Sequence, residues 1–557
     1  MADRHLIRDR RRRLCPNVGR RAFLAIMLVA LLLSGLSISG ARPTVELQFL
    51  TVSDWHAQLD PLPVAGVGNV GGAAELSAYW QADRAANPNT LTLTAGDAFG
   101  ASPPLSTFFD EEPAVLSMNL MGFDADTFGN HNFDKGVVFL QNLIDLAEFP
   151  YLSANLKNVG DNLTGVQPFA IFDVGGVKVA VIGLTNPEAP TLVFPGSFGT
   201  IQVTDPVPAA ENARAAAKRA GAVIFVVICH LGVTGFDPTT GAPLGPLIDF
   251  ARSVGGFDII FGDHTDVQFT GVINNALVVE NRSKGLTYAR TKLQVDSRNG
   301  RVEARSVEFV TPLSANVTPD PAIVTLLAPF RTQLAAVFDG VIGLATDVFV
   351  RGGNIERRQE VAIGNLISDA IRLRYGTLIA LTNSGGIRAP LPSSYLPADT
   401  SLRRTSAGYA PGPPFDLVVG DVFTVLPFGN SIVTRNVTGE QLYLALENGV
   451  SRILADGTGT DGRFPQISGF RFTFNSLNPP GSRVTSVQLD DGTPILADSA
   501  IYTFATNDFV NAGGDGYTML ADGQGVTREV MADVVQQYIE GLGTITPTIE
   551  GRITKLP

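Results

Sequence analysis

The chain has 557 residues, 45% of them hydrophobic and 17% charged, with a formal net charge of −12. Such a length exceeds one ordinary core and such an apolar content excludes a disordered chain, so two domains and a linker are expected. Taking the eight arginines and two aspartates of residues 1–41 out of the total leaves about −18 on the remainder; a surface that acidic repels a nucleic-acid polymer but still admits a small anion held by local arginines.

Residues 1–41 read as a leader. A basic region ends in Arg20-Arg21, an uncharged leucine-rich run covers Ala22 to Gly40, and Ser39-Gly40-Ala41 suits a signal-peptidase cut. Arg20-Arg21-Ala22-Phe23-Leu24 resembles the twin-arginine export signal. An exported protein is therefore expected: periplasmic, cell-surface or secreted. The alternative is an uncleaved N-terminal anchor, the one membrane attachment expected, because no other stretch looks long and apolar enough to cross a bilayer. Cys15 lies in the leader and Cys229 stands alone after it, so no internal disulfide is available once the leader is removed.

From Val45 onward, near-continuous apolar runs read as strands covered on both faces: Val45–Val52, Thr90–Thr94, Val177–Leu184, Ala222–Ile228, Phe257–Phe261 and Ala276–Val279. Helical patterns such as Gly72–Arg84 and Ala209–Ala220 lie between them, which implies a layered α/β architecture. Asp320-Pro321 opens a linker helix that runs through Val337. A second unit starts near Val341. It holds an amphipathic helix, Ile363–Tyr375, with Gly376 placed to end it. Strands are predicted at Leu378–Leu381, Val422–Leu426, Phe470–Phe474, Val484–Leu489 and Ile501–Thr506. The Pro- and Gly-rich stretches 390–414 and 455–465 read as surface loops.

Four of the five histidines sit in short motifs just after these runs: His56 in Ser-Asp-Trp-His, His131 in Gly-Asn-His-Asn-Phe-Asp, His230 in Cys-His-Leu-Gly and His264 in Gly-Asp-His-Thr-Asp. The ends of strands are where α/β sheets gather ligand groups. Asp54 and His56 share one side of an extended segment, and Asp97 follows its strand into a tight turn from which a carboxylate could bridge two cations. Asn130 offers an amide oxygen, and His230, His264 and Asp266 complete the set. Imidazole, carboxylate and amide together suit two divalent ions, with Zn, Mn or Co favoured and Mg or Fe admissible. Each piece alone has an ordinary structural reading; the ordered set is what points to metal.

This ordered set resembles the calcineurin-like metallophosphoesterases, and nearly the whole chain after the leader resembles their 5′-nucleotidase family, which includes UDP-sugar hydrolases, ecto-5′-nucleotidases and 2′,3′-cyclic phosphodiesterases. The resemblance implies an α/β fold: a four-layer α/β/β/α metallophosphoesterase sandwich over 44–315, a linker helix over 316–340, and a second α+β nucleotidase domain over 341–557. It implies a two-metal site of Asp54, His56, Asp97 (bridging), Asn130, His230, His264 and Asp266, with His131 and Asp134 as a non-ligand catalytic pair. Three departures stand out: Ser53-Asp54-Trp55-His56-Ala57 for Asn-Asp-x-His-Gly, Asn132 for a frequent glutamate, and Asp266 for a neutral ligand, which hardens that site. Two cations would activate water, screen phosphate charge and stabilise in-line displacement.

Later motifs resemble the family's substrate-reading half: Arg357 to Leu366, Asn383 to Arg388, Leu426 to Asn430 and Asn507 to Gly516. Arg357 and Arg388 present guanidinium forks suited to phosphate. Phe428 and Phe509 could stack a nucleobase, Asp515 could accept from ribose hydroxyls, and Asn383 could touch base or sugar. Their structural alternatives are core rings and a Gly-Gly-Asp-Gly turn. The expected protein is an exported 5′-nucleotidase acting on nucleoside 5′-monophosphates. The same site on 2′,3′-cyclic nucleotides or UDP-sugars, and a non-catalytic secreted binding protein of this fold, are the alternatives.

Overall fold

Apolar runs with no polar face can pair only where both sides of a sheet are covered. In the computed structural model, which describes residues 44–64, 66–297, 299–456 and 459–556, they do so in two sheets. Val177–Leu184, Ile224–Cys229 and Ile259–Phe261 pair in parallel inside a six-stranded sheet. Ala276–Glu280 and Phe269–Ile273 extend one edge of it, and Phe169–Val174 the other. Thr44–Val52 and Thr90–Thr94 pair in parallel in a four-stranded sheet completed by the antiparallel pair Tyr288–Asp296 and Arg301–Val310. Phe49, Leu93, Val181, Val226 and Leu293 fill the layer between the sheets.

Helices cover the outer faces. Trp80 and Met118, from Ala73–Ala86 and Glu112–Met121, pack with Leu50 and Val52 on the smaller sheet. Ala213 and Phe250, from Pro206–Arg219 and Pro246–Ser253, pack with Ile182 and Val227 on the larger. Each of the valine, leucine, isoleucine, methionine and phenylalanine side chains taken from water contributes about 1.5–3 kcal/mol. The predicted four-layer α/β/β/α order is therefore the one observed. The predicted leader, with Cys15 and the twin arginines, lies outside the described residues.

The helix Pro321–Phe338 starts where Asp320 caps it: Ala322 N donates to Asp320 Oδ1 at 2.9 Å. Ser77 Oγ and Gln81 Nε2 donate to Oδ2 at 2.7 and 2.6 Å, tying the helix start to Ala73–Ala86. By length and composition this helix is apolar enough to cross a membrane, which corrects the expectation that only the leader would be. Ile323, Leu327, Leu334 and Phe338 are buried within the core cluster of the first domain.

After this helix a five-stranded sheet runs in the order Pro465–Ser468, Ile379–Asn383, Ile501–Asn507, Ser431–Thr438, Val526–Val530. Ala362–Tyr375 and Met531–Leu542 pack in one core with Ala380 and Ala505, while Gly439–Val450 packs in another with Ile379 and Phe504. Gly376 ends the first of these helices in the left-handed region, φ 62°, as predicted.

Two expectations fail here. Of Val422–Leu426, predicted as a strand, all but the C-cap Leu426 belongs to the helix Val419–Val425. Val418 N donates to Asp421 Oδ2 at 2.9 Å, so a carboxylate in the first turn holds the chain helical despite its β-branched residues. The stretch 390–414 is also no plain surface loop, because Ser393, Tyr395 and Arg404 are buried. Arg404 forms a bidentate pair with Asp421 at 2.5 and 2.6 Å, and Ser393 donates twice to the same carboxylate. Both partners are nearly fully buried. Asp421→Ala would strand a buried guanidinium, and a loss of about 3–5 kcal/mol is expected in guanidinium chloride unfolding; a change under about 1 kcal/mol would show that the pair contributes nothing beyond its own desolvation.

Candidate metal centre and substrate cleft

The strand ends place the motif residues together. Asp54 and His56 follow Thr44–Val52, Asp97 follows Thr90–Thr94, His230 follows Ile224–Cys229, and His264 follows Ile259–Phe261. Five of these side chains leave from strained backbone: φ is 38° at Asp54, 50° at His56, 49° at Asp97, 93° at His264 and 54° at Asp266. Left-handed non-glycine residues persist only where surroundings over-determine them, and they cluster at functional sites. Close approach adds to this at Gly129, where a Cβ would overlap the Asp97 carboxylate and the His230 ring.

His230 Nε2 is the meeting point. It lies 3.1 Å from Asp97 Oδ2, 3.9 Å from Asp54 Oδ1 and 3.0 Å from His264 Nδ1. Among the described residues, three carboxylate–imidazole groups have ligand atoms within 4.8 Å of one another: His56, Asp97 and His131; Asp97, His230 and His264; Asp54, His230 and Asp263. Asp97 belongs to two of them, as a bridging carboxylate would. Asn130 Oδ1 is buried with no hydrogen-bond partner, an orphan acceptor of the kind that a cation satisfies. Each donor set is mixed nitrogen and oxygen, so the residues present fit divalent metal.

The supporting contacts orient the ligands. His56 Nδ1 lies 2.8 Å from the Gly100 carbonyl and His230 Nδ1 lies 3.1 Å from the Ala95 carbonyl, which assigns a proton to each Nδ1 and turns both Nε2 atoms to the centre. Burial first, then Arg388, holds the His56 imidazole well below its usual range. Burial and then His230 bring His264 to about 3. Both rings are thus neutral, the form that binds metal. Burial opposes charge on His230, but Asp97 outweighs it and lifts the ring to about 9. Burial raises Asp54 to about 6 against the pull of His230.

Asp266 borders the same cavity, but its Oδ1 accepts from Ser283 N at 2.8 Å and Arg282 Nε at 3.2 Å. Asp263, which sequence reasoning passed over, is fully buried and accepts from Asp54 N at 2.9 Å and His264 N at 2.8 Å. It ties two ligand-bearing turns together. Its position inside Gly-Asp-His-Thr-Asp was the available signal. Asn132, standing for the frequent glutamate, accepts through Oδ1 from Asp97 N at 3.1 Å and Gly129 N at 2.8 Å, so an amide carries the turn that presents Asp97.

His131 Nδ1 lies 3.0 and 3.1 Å from the two Asp134 oxygens, so Asp134 orients the ring. His131, His264, Arg357 and Arg388 border both this small cavity of about 50 Å³ and a larger one of about 310 Å³. Phe428, Phe509, Asn383 and Asp515 line the larger one. Phe428 is half-buried and stacked on His131 at 5.5 Å between centroids. Phe509 lies over Gly514, where a Cβ would strike its ring. Asp515 is buried and already accepts from Asn383 Nδ2 at 2.7 Å; burial, then Asp461, lifts it to about 6. The stretch 455–465, expected to be a surface loop, sends Asp461 and Gly462 to this cavity. Arg388 reaches across from the second domain and places Nη2 3.0 Å from His56 Nε2. A cation on that nitrogen and the arginine therefore compete for one lone pair.

A family model described as 5′-nucleotidase, C-terminal domain, matches residues 341–522. A solved 5′-nucleotidase precursor from Thermus thermophilus aligns with 92% of this chain and 99% of its own, at a TM-score of 0.80 and 29% identity. Residues 341–522 thus match a 5′-nucleotidase C-terminal domain, and nearly the whole described chain is similar to a solved 5′-nucleotidase. Two Bacillus subtilis relatives, a trifunctional nucleotide phosphoesterase protein and an endonuclease, are each 28% identical to this chain, over 92% and 91% of it. The chain spans only 35% and 41% of their lengths.

Proposed function

We propose that this protein is a 5′-nucleotidase, an exported two-metal phosphohydrolase that releases phosphate from nucleoside 5′-monophosphates. The observation that carries the reading is the convergence of Asp54, His56, Asp97, Asn130, His230 and His264 on one centre that opens into a cavity bordered by Phe428 and Phe509. Asp54, His56, Asp97 and Asp266 would hold one cation, and Asp97, Asn130, His230 and His264 the other. When bound, the pair supplies Lewis acidity and an activated water near neutral pH.

The chain's own residues do the rest. Arg357 and Arg388 bind phosphate oxygens through guanidinium forks. Phe428 and Phe509 stack the base, each contact contributing about 1–3 kcal/mol. Asn383, held between Asn507 and Asp515, fixes the polar edge of the nucleoside. With Nδ1 turned to Asp134, His131 has Nε2 left for the departing oxygen and delivers a proton there.

The test is a panel of AMP, UDP-glucose, 2′,3′-cyclic AMP and bis-p-nitrophenyl phosphate, after chelation and re-addition of Zn, Mn, Co or Mg. AMP turnover should vanish on chelation, return with metal, and exceed the other rates by about tenfold or more. Equal low rates on all four would refute nucleotide specialisation, and full activity after exhaustive chelation would refute the metal.

A further inference from the structure

The small cavity at the metal ligands is walled by more positive charge than phosphate binding by two arginines requires. Arg351, Arg357 and Arg388 reach it from the second domain, and Lys284 reaches it from the first. One buried carboxylate, Glu356, lies among them, 3.0 Å from Arg351 Nη2 and 3.7 Å from Arg357 Nε. Asp54, Asp97 and Asp266 also border the cavity but are committed to the metal centre in the reading above. The Nε atoms of Arg357 and Arg388 are buried with no hydrogen-bond partner.

Lys284, like Arg351, lies outside every motif that the sequence marked. Its backbone takes a left-handed φ of 57°, and its N–H donates to the Asp54 carbonyl at 2.9 Å, so it is built onto the turn that carries a predicted ligand. Its Nζ donates to the Arg388 carbonyl at 2.8 Å, across the two domains. An ammonium has three donors, and this contact uses one. A multiply charged anion is what such a group lacks.

We infer that Lys284 is a specificity-determining residue that favours the dianionic terminal phosphate of a monoester over the monoanion of a diester. This rests on the phosphohydrolase reading above. Adding one negative charge to the ligand gains little in water but more in a small cavity walled by Arg351, Arg357, Arg388 and Lys284. A diester carries one charge fewer and a substituent where an oxygen would meet the ammonium. Lys284 thereby separates two substrate classes that the shared metal ligands alone do not distinguish.

The test compares wild type, Lys284→Met and Lys284→Arg at equal metal content. AMP and bis-p-nitrophenyl phosphate are the substrates, and inorganic phosphate is the inhibitor. Lys284→Met should lower the monoester-to-diester ratio of kcat/KM by about tenfold or more and raise the phosphate inhibition constant by a similar factor, while Lys284→Arg restores both to within about threefold. An unchanged ratio, or equal losses on both esters with phosphate inhibition intact, would overturn the assignment. If the wild type hydrolyses neither ester, the phosphohydrolase reading is what fails. Calorimetric titration of inorganic phosphate into wild type and Lys284→Met then decides on Lys284 separately: weaker binding by the variant supports it, and equal binding refutes it.

Discussion

Asp97→Asn is expected to lower kcat/KM for AMP by about a thousandfold, equivalent to about 4 kcal/mol of transition-state stabilisation. The same change should reduce bound metal from two ions to at most one per chain. The reason is the position of this carboxylate. Oδ2 faces His230 Nε2 at 3.1 Å and Oδ1 accepts from His131 N at 2.8 Å. Burial opposes its charge, but His230 and then His131 outweigh that and hold it well below the usual carboxylate range. It therefore stays ionised at any working pH and is the one carboxylate common to two of the ligand groups. An amide keeps the shape and loses the charge both cations would share. The turn should survive, because Asn132 Oδ1 holds the residue 97 backbone N–H rather than its side chain. Steady-state kinetics with elemental analysis of the same preparation is the measurement. Activity within tenfold of wild type at full metal content would remove Asp97 from the centre.

Much of this geometry was legible in the sequence because the fold obeys simple rules at these points. Val177–Leu184 is apolar but for Lys178 and Thr90–Thr94 alternates threonine with leucine, so both strands, and Asp97 shortly after the second, were readable in the sequence. Histidine is scarce in this chain, which made its few positions informative. What stayed hidden depends on long-range contact. Lys284 acts through Arg388, far away in sequence, and nothing local announces it; Asp263 sat inside a marked motif, but its bond to the Asp54 N–H is visible only in the fold. Val419–Val425 misled because its β-branched residues favour a strand, while the first-turn carboxylate of Asp421 and the buried Arg404 decide for a helix. The stretch 455–465 looked like solvent-facing loop by composition, yet Phe464 is fully buried and Asp461 borders the cleft.

His131→Ala is expected to lower kcat by about 10²–10⁴-fold while leaving two metals bound, which separates a proton donor from a ligand. The distinction is needed because His131 has a ligand atom within 4.8 Å of those of His56 and Asp97, close enough to complete a three-residue metal group. Its other contacts favour the proton-donor role. Nδ1 is engaged by both Asp134 oxygens, the ring stacks on Phe428 at 5.5 Å, and the residue borders both cavities. A ring placed between the metal ligands and the aromatic cleft sits where a leaving oxygen would pass. Asp134→Asn should then cost less than the alanine change, because the ring remains and only its orientation and partner charge are weakened. A substrate whose leaving group needs no proton should recover most of the loss in His131→Ala; p-nitrophenyl phosphate, with its acidic phenol, serves for this. Were the alanine variant to lose metal, or to lose equal activity on AMP and p-nitrophenyl phosphate, His131 would belong with His56 and Asp97 as a ligand.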